Sequence, residues 1–366
     1  MKIRELVAPL LAGACGLALI AISSGVKAQQ PAAGAPAGQP AAQPQPQLDA
    51  CGGRSAQPEV PCPNDVTEML AALPAKAPAT PQKPRKVLVL ARAAGFAHSS
   101  RPLAAATINE MGKKTGAWTT DVTYDAAAIT PDNLKQYDAV FLDSTTGLFL
   151  DDPNDAAATA ARRKALLDFV RGGKGLAGIH AASDSYHGGT GAGRGTGAGR
   201  RTGAGRGTGG DPLWPEFNKL IGGYFKFHWN WPTPITVKID DPSNPINATF
   251  KGKSFNINDE VYVFNQDSFS RENVHVLTSV DYSMMSDSDK RKESPQRTDH
   301  DYALCWIRRE GQGRVFYEAL GHHESIYYDN PQMLEHILAG MQYALGDLKA
   351  DDSPSVKPGR TSNKNH

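Results

Sequence analysis

The sequence has little cysteine and no excess of charge of either sign. Four of its 366 residues are Cys, and 39 basic residues balance 38 acidic ones to give a net charge of +1. Such a balance provides no electrostatic reason to bind nucleic acid or an anionic membrane as the main partner. No His-Glu-x-x-His metal motif occurs, and the Gly-rich tract at 188–210 is no dinucleotide fingerprint, since it neither directly follows a strand nor precedes an apolar helix.

Glycine and proline are abundant instead, and most of them lie in segments that could not form a hydrophobic core. The N-terminus is the first of these segments. Lys2 and Arg4 precede an apolar stretch over 6–22, and small residues lead to a cleavage site at Ala28. This layout predicts a secretory signal peptide over 1–28 and export to the periplasm or the medium. The alternative is a retained membrane anchor, which Pro9 and the Ala28 site disfavour.

Export would permit disulfide bonds. Cleavage at Ala28 would leave three cysteines, of which Cys51 and Cys62 bracket a Gly/Pro-rich loop and could pair. The third, Cys305, lies in the apolar run 302–307. We expect it to be a packed thiol of a buried strand rather than a nucleophile.

Three further segments flank or interrupt the globular part of the chain. Residues 29–83 are rich in Ala, Pro and Gln and predict a disordered spacer that could hold the domain near a membrane or cell wall, with one docked helix at 66–73. The Gly/Arg repeats of 188–210 predict a flexible surface insertion rather than a nucleic-acid tract, because an exported protein seldom meets RNA. The polar tail 347–366 predicts disorder.

Buried-strand and helix patterns alternate between these segments. Continuous apolar runs at 86–90, 139–142, 175–179 and 313–317 are typical of strands covered on both faces, and helical patterns fall at 102–114, 157–170 and 331–345. The alternation predicts an α/β fold with a doubly wound, mostly parallel sheet, because βαβ crossovers are right-handed. Additional strands with long loops are expected at 235–240, 261–264 and 274–278.

Histidines follow three of the four core strands. His98 lies in the loop after the first strand, His180 directly after the 175–179 strand, and His322 shortly after the last, while Ser144 follows the remaining strand. Ligands bind open α/β sheets at the carboxyl ends of the strands. One such histidine would be an ordinary surface residue, but three at one edge predict a functional site.

Five motifs, in this order along 86–346, carry a family resemblance. They are Gly95-Phe96 with His98, Gly178-Ile179-His180, Gly222-Gly223-Tyr224-Phe225 with His228, Asp259-Glu260-Val261-Tyr262, and Gly313-Arg314-Val315-Phe316 with Gly321-His322. Together they resemble the ThuA-like (trehalose utilisation) family, a branch of the flavodoxin-like, class I glutamine amidotransferase-like folds.

His180 stands where the amidotransferases have their nucleophilic cysteine, and His322-His323-Glu324 resembles their His-x-Glu. Without that thiol no acyl-enzyme forms, so glutamine hydrolysis is excluded.

The resemblance implies a carbohydrate substrate, with oxidised, keto-type sugars as the expected class. Imidazole titrates near neutral pH, so His180 or His322 could act as general base, with Glu324 or Asp184 orienting the imidazole. Proton abstraction beside a ketone would suit an isomerase or an eliminating lyase, and a hydrolase is the remaining type. The competing class is a carbohydrate-binding module that retains the cleft without chemistry.

A divalent metal is the alternative to metal-free acid/base chemistry. The residues His180, His228, Glu260 and His322 would suit zinc or a similar ion, because neutral imidazoles with a carboxylate can leave one position open to water.

Substrate contacts are expected from several side chains of the same loops and strands. The candidates are His98, Ser144, Trp229, Trp231 and Tyr262. The two tryptophans are expected to be exposed and to stack on sugar faces, and the alternative is that the aromatic stretch 224–231 fills core. No oligomeric state follows from the sequence.

Overall fold

The structure is a computed structural model that describes residues 60–188 and 210–356. The predicted signal peptide, Cys51 and residues 189–209 of the Gly/Arg-rich insertion lie outside these stretches. Within them, no helix is long and apolar enough to cross a membrane.

Nine strands and seven α-helices make up the described chain. The strands are β1 (Lys86–Leu90), β2 (Thr119–Thr123), β3 (Ala139–Asp143), β4 (Gly175–Ile179), β5 (Phe225–Ile239), β6 (Phe255–Phe264), β7 (His275–Val280), β8 (Ala303–Glu310) and β9 (Gly313–Glu318). The helices are α1 (Pro63–Ala72), α2 (Arg101–Thr115), α3 (Pro131–Leu134), α4 (Ala156–Arg171), α5 (Pro215–Ile221), α6 (Asp287–Lys290) and α7 (Pro331–Leu345). Short 3₁₀ turns at His180–Ser183 and Glu324–Tyr327 follow β4 and β9.

All nine strands lie in one mixed sheet of order β2-β1-β3-β4-β9-β8-β7-β5-β6. The pairs from β2 to β9 are parallel, and those from β9 to β6 are antiparallel. The α/β class is therefore as predicted, but the parallel arrangement covers only half of the sheet. The strands expected as additions continue the same sheet, and β5 begins ten residues earlier than predicted, at Phe225 rather than 235.

The apolar runs of β1, β3 and β4 are buried almost throughout, as expected of parallel strands covered on both faces. Helix α7 packs against β9 so closely that a Cβ at Gly340 would lie 2.2 Å from the Phe316 ring. Cys305 is fully buried in β8, as predicted for a packed thiol, and burial and the nearby Glu318 carboxylate raise its pKa.

The predicted spacer is ordered over residues 60–83. Helix α1 covers the apolar stretch 66–73 and buries Met69 and Leu73 against the domain. Ala79 is tied to α7 by two hydrogen bonds, from its N–H to Gln342 Oε1 at 2.9 Å and from Gln342 Nε2 to its carbonyl at 2.6 Å. The prediction of disorder is wrong here because the Ala/Pro composition does not reveal partners more than 200 residues away.

The tail is likewise ordered as far as Val356, which corrects the prediction of disorder from 347. The carboxylate of Asp347 is buried and forms a salt bridge with Arg85 at 2.6 Å. Further along, the N–H of Ser355 donates to the carbonyl of Val274 at 3.0 Å. Residues of the tail thus form a salt bridge and a hydrogen bond with the domain, and the composition of the tail does not reveal these partners.

We expect Gly340→Ala to destabilise the protein by more than about 1 kcal/mol, although alanine favours helix by about that amount over glycine. The added methyl group would overlap the buried Phe316 ring and push α7 away from β9. Denaturant unfolding of this variant and of Gln332→Ala, at an exposed position of the same helix, measures the difference. Equal stability of both variants would show that the contact between α7 and β9 is loose.

Candidate functional site

The candidate site lies at the carboxyl ends of the parallel strands, where the sequence predicts it. His180 directly follows β4, His322 follows β9, and His98 lies between β1 and α2. The antiparallel half of the sheet contributes His228 from β5 and Glu260 from β6.

His180 is fixed by both its backbone and its ring. Its φ of 46° is in the left-handed region, which non-glycine residues seldom adopt outside constrained sites, and its side chain is fully buried. The ring Nδ1 lies 2.9 Å from the Ala319 carbonyl oxygen. Because a carbonyl can only accept, Nδ1 carries the hydrogen and Nε2 presents a lone pair to the site.

Glu260 is the residue on which the other side chains converge. Its Oε1 lies 3.3 Å from His322 Nδ1 and 3.6 Å from His180 Nε2. Its Oε2 lies 3.2 Å from His228 Nδ1. The two nitrogens of His180 and His322 are themselves 3.3 Å apart. A single buried carboxylate therefore joins three imidazoles from three different strands or loops.

His98 completes the group from the side of β1. Its ring centroid is 4.7 Å from that of His180 and 5.2 Å from that of His322. Potential metal-binding atoms of His98, His180, Glu260 and His322 all lie within 4.8 Å of one another. The Nδ1 atom of His98 is buried and has no hydrogen-bond partner among the described residues.

The β5–β6 hairpin reaches this position although β6 is the edge strand of the sheet. Its pairing shifts register between Trp229 and Thr233, and such irregularities bend strands. The ring of Tyr262 lies 4.3 Å from that of His180. The hairpin therefore lies over the end of β4 and delivers Glu260 to the histidines. Tyr262 itself is buried under His180 and has no open face for the substrate contact predicted for it.

The charges of the site are set by burial and by mutual contacts. Burial alone would raise the pKa of Glu260, but the contacts of its carboxylate with the His180 and His322 imidazoles outweigh burial and hold that pKa well below the usual range. For His322, burial opposes the positive charge, yet the hydrogen bond and charge of Glu260 prevail and raise its pKa. Contact with the Glu260 carboxylate thus favours the protonated form of His322.

The imidazoles of His98 and His228 have lowered pKa values and are therefore neutral at physiological pH. Burial, followed by the charges of His180 and His322, lowers the pKa of His98 well below its ordinary value. Burial also lowers the pKa of His228, although Glu260 opposes the shift. Neutral imidazole nitrogens are the form that binds metal ions or accepts protons.

Asp259 is a site residue to which the sequence analysis assigns no role. Its buried carboxylate accepts hydrogen bonds from the N–H groups of Gly321 at 2.6 Å, His322 at 3.3 Å and His323 at 3.3 Å. Burial raises the pKa of Asp259. The side chain positions the loop that carries His322, and its place next to Glu260 in the sequence is the one signal that points to it.

The acidic residues predicted to orient the catalytic imidazole face other histidines. Asp184 Oδ1 lies 2.8 Å from His187 Nε2, and Glu324 Oε2 lies 3.7 Å from His323 Nε2. The orienting contacts of His180 and His322 come instead from the Ala319 carbonyl and from Glu260.

The two tryptophans differ, and the expected exposure of Trp229 is wrong. Trp229 is fully buried and donates from Nε1 to the Asp289 carbonyl at 2.8 Å, because its side chain points to the core face of β5. Trp231 is 42% exposed and stacks on His323 with ring centroids 4.2 Å apart and planes 6° apart. Phe96 is 47% exposed and contacts His98 at 4.8 Å between centroids.

Ser144 follows β3 beside His180 in the sheet. Its φ is 43°, and its buried Oγ has no hydrogen-bond partner among the described residues. A hydroxyl in this setting can serve a bound ligand, but the structure shows no contact that assigns it one.

Comparison with known proteins agrees with this architecture. The profile of the trehalose utilisation family, ThuA, matches residues 86–198 and 194–344, which together span more than half of the chain. The chain belongs to the ThuA family. Among curated protein sequences, none matches it significantly.

Two solved structures of ThuA-like proteins are similar to this chain. A ThuA-like protein from Bacteroides uniformis is 21% identical, with a TM-score of 0.50 over 75% of this chain and 98% of that one. A ThuA-like protein from Parabacteroides merdae is 16% identical, with a TM-score of 0.45 over 74% and 93%. At 21% identity the Bacteroides uniformis structure supports the fold and assigns no activity.

We expect Asp259→Asn to destabilise this ThuA domain by about 1–3 kcal/mol, the range for hydrogen bonds to a buried acceptor. An amide in place of the carboxylate turns an NH₂ group toward N–H donors and leaves at least one of them unpaired. Chemical denaturation checks this, with Asp267→Asn on the exposed loop after β6 as the matched control. An unfolding midpoint equal to that of the control would show that the carboxylate does not hold the loop.

Proposed function

We propose that the chain is a carbohydrate-processing enzyme whose centre is a divalent metal ion, of the zinc type, held by His98, His180, Glu260 and His322. The observation that carries the proposal is the convergence of three imidazoles and one carboxylate oxygen within 4.8 Å. The sequence analysis placed His228 in this set and His98 on the substrate. The compact arrangement favours the reverse.

The donor atoms support this assignment. His180 commits its hydrogen to the Ala319 carbonyl, so its Nε2 faces His322 and Glu260 as a lone pair. The separations of 3.3, 3.3 and 3.6 Å among these three atoms match those of ligands around a tetrahedral ion, about 3.3–3.5 Å for bonds of about 2.0–2.2 Å. A fixed carbonyl behind the histidine is the usual orienting contact of a metal ligand.

A bound ion would polarise a substrate carbonyl as a Lewis acid. His228 is then the group available for proton transfer, because it touches the outer oxygen of Glu260 and keeps 36% of its side chain exposed. A neutral imidazole beside a polarised ketone is suited to abstract a proton from the adjacent carbon. We therefore favour an isomerase or an eliminating lyase over a hydrolase, with His228 rather than His180 or His322 as the base.

A keto-sugar derivative is the substrate class we infer. Trp231 and Phe96, the exposed aromatic residues of the described chain, both contact histidines of the site or its loop. Aromatic rings stack on the apolar faces of sugars while polar groups nearby hold the hydroxyls. The family name, trehalose utilisation, points to the same class.

Two finer assignments belong to this proposal. The order β2-β1-β3-β4-β9 of the parallel half corresponds to the flavodoxin-like order 2-1-3-4-5 and supports a doubly wound core of the class I glutamine amidotransferase type. Export rests on the pattern of residues 1–28 alone.

We expect Glu260→Gln to lose one equivalent of metal per chain and to lower turnover of keto-sugar substrates by at least about 100-fold, because the amide removes the charge that joins the ligands. Elemental analysis of the purified protein and product detection by nuclear magnetic resonance give the two readouts. The control is Glu272→Gln, on an exposed loop.

Two results would contradict the proposal in different ways. Metal-free protein with full keto-sugar activity would remove the ion and leave histidine acid/base chemistry. Metal-loaded protein that binds sugars without converting them would make the chain a carbohydrate-binding module.

We expect Trp231→Ala to raise KM for a keto-disaccharide about tenfold while kcat changes little, and to leave KM for a keto-monosaccharide nearly unchanged. The stacked ring lies beside the metal-binding residues and would hold a second sugar ring, a contact worth about 1.4 kcal/mol for a tenfold effect. Steady-state kinetics with both substrates checks this, and Trp231→Phe should retain most of the affinity. An equal rise of KM for both substrates would place Trp231 at the reacting ring instead.

A further inference from the structure

A second group of side chains that could bind a metal ion lies in the core of the domain. Cys305 on β8, Glu318 on β9 and His336 on α7 are each at most 1% exposed. Cys305 and Glu318 are direct partners in the antiparallel ladder, so their side chains share one face of the sheet. Helix α7 covers that face and brings His336 onto the pair.

The distances within this core cluster are those of a coordination sphere. His336 Nε2 lies 3.2 Å from Cys305 Sγ and 3.4 Å from Glu318 Oε2. All three potential metal-binding atoms lie within 4.8 Å of one another. Ligands of a tetrahedral zinc ion are separated by about 3.3–3.6 Å when its bonds to N, O and S are about 2.0–2.3 Å long.

Each ligand atom is presented by a contact on its other side. His336 Nδ1 lies 3.1 Å from the Ile246 carbonyl, so Nδ1 carries the hydrogen and Nε2 offers a lone pair to the cluster. Glu318 Oε1 accepts the Leu320 N–H at 3.0 Å, so the buried Oε2 is the oxygen that faces His336. Backbone groups that orient an imidazole and a carboxylate in this way are typical of the surroundings of metal ligands.

Charge gives a further reason for a cation at this point. The Glu318 carboxylate is almost fully buried, and a buried carboxylate is costly unless a positive charge balances it, because the protein interior solvates charge poorly. A divalent ion with one carboxylate and one thiolate forms a neutral unit with the imidazole, and binding would displace the proton of the thiol.

We propose that Cys305 Sγ, Glu318 Oε2 and His336 Nε2 bind a second, structural divalent ion of the zinc type. Three protein ligands leave a fourth position, which a buried water can fill. Glu318 directly precedes Ala319, whose carbonyl orients His180. The ion would therefore fix the end of β9 and, through the Ala319 carbonyl, the orientation of His180.

The sulfur ligand makes this centre distinguishable from the one at Glu260. Protein expressed in cobalt-supplemented medium would fold around Co²⁺, and a Co²⁺–thiolate bond gives an intense near-ultraviolet charge-transfer band that nitrogen and oxygen ligands do not give. X-ray absorption at the cobalt edge would add a sulfur neighbour at about 2.3 Å. The samples are the parent protein, Cys305→Ser, a Cys51→Ser/Cys62→Ser double variant and Glu260→Gln.

We expect the parent protein to bind two equivalents of cobalt and to show the band. Cys305→Ser should lose the band and about one equivalent, while the double variant should keep both. Glu260→Gln should lose the other equivalent and keep the band, so the two centres can fail independently. If Cys305→Ser does not fold, the sulfur neighbour in the parent protein decides the question.

A folded parent protein without the band and without a sulfur neighbour would overturn the proposal. The cluster would then be a group of an imidazole, a carboxylate and a thiol in the core that binds no metal. Loss of the band in the Cys51/Cys62 double variant would equally overturn it, because the thiolate would come from another part of the chain.

Discussion

The buried carboxylate of Glu260 is the contact on which the candidate site depends. Removing a carboxylate from water costs several kcal/mol unless opposite charges or hydrogen bonds compensate it. Here the compensation comes from imidazoles on β5, after β4 and after β9. If one of these elements shifted alone, the Glu260 carboxylate would lose an imidazole contact or become exposed to water. Glu260 therefore couples the two halves of the sheet.

The mixed sheet explains why that coupling is possible. Parallel strands end at a common edge, and β4 and β9 place His180 and His322 there, but nearly all side chains of these two strands before that edge are buried. The antiparallel half supplies a long hairpin that is free to bend over the edge. Its irregular pairing near Trp229 and Thr233 turns β6 so that Glu260 meets the histidines and Asp259 holds the loop behind them.

The sequence predicts those parts of the structure that depend on neighbouring residues, and it fails where the contacts join residues far apart in the chain. The strands β1, β3 and β4 and the histidines at their ends follow from apolar runs and from the geometry of parallel sheets. Local patterns cannot show which face of β5 is buried, so Trp229 was expected at the surface and lies in the core. The order of residues 60–83 and 347–356 depends on partners far away in sequence, such as Arg85 for Asp347.

The position of β9 connects the candidate site to the core. Glu318 points to His336 and Cys305 on one face, and the next residue, Ala319, offers its carbonyl to His180. Successive residues of a strand point their side chains to opposite faces, so a group fixed in the core also fixes the backbone that serves the other side. A shift of β9 would move the Ala319 carbonyl and with it the hydrogen bond that orients the His180 imidazole. The polar core cluster, expensive to bury, therefore stands where rigidity matters most for the histidine centre.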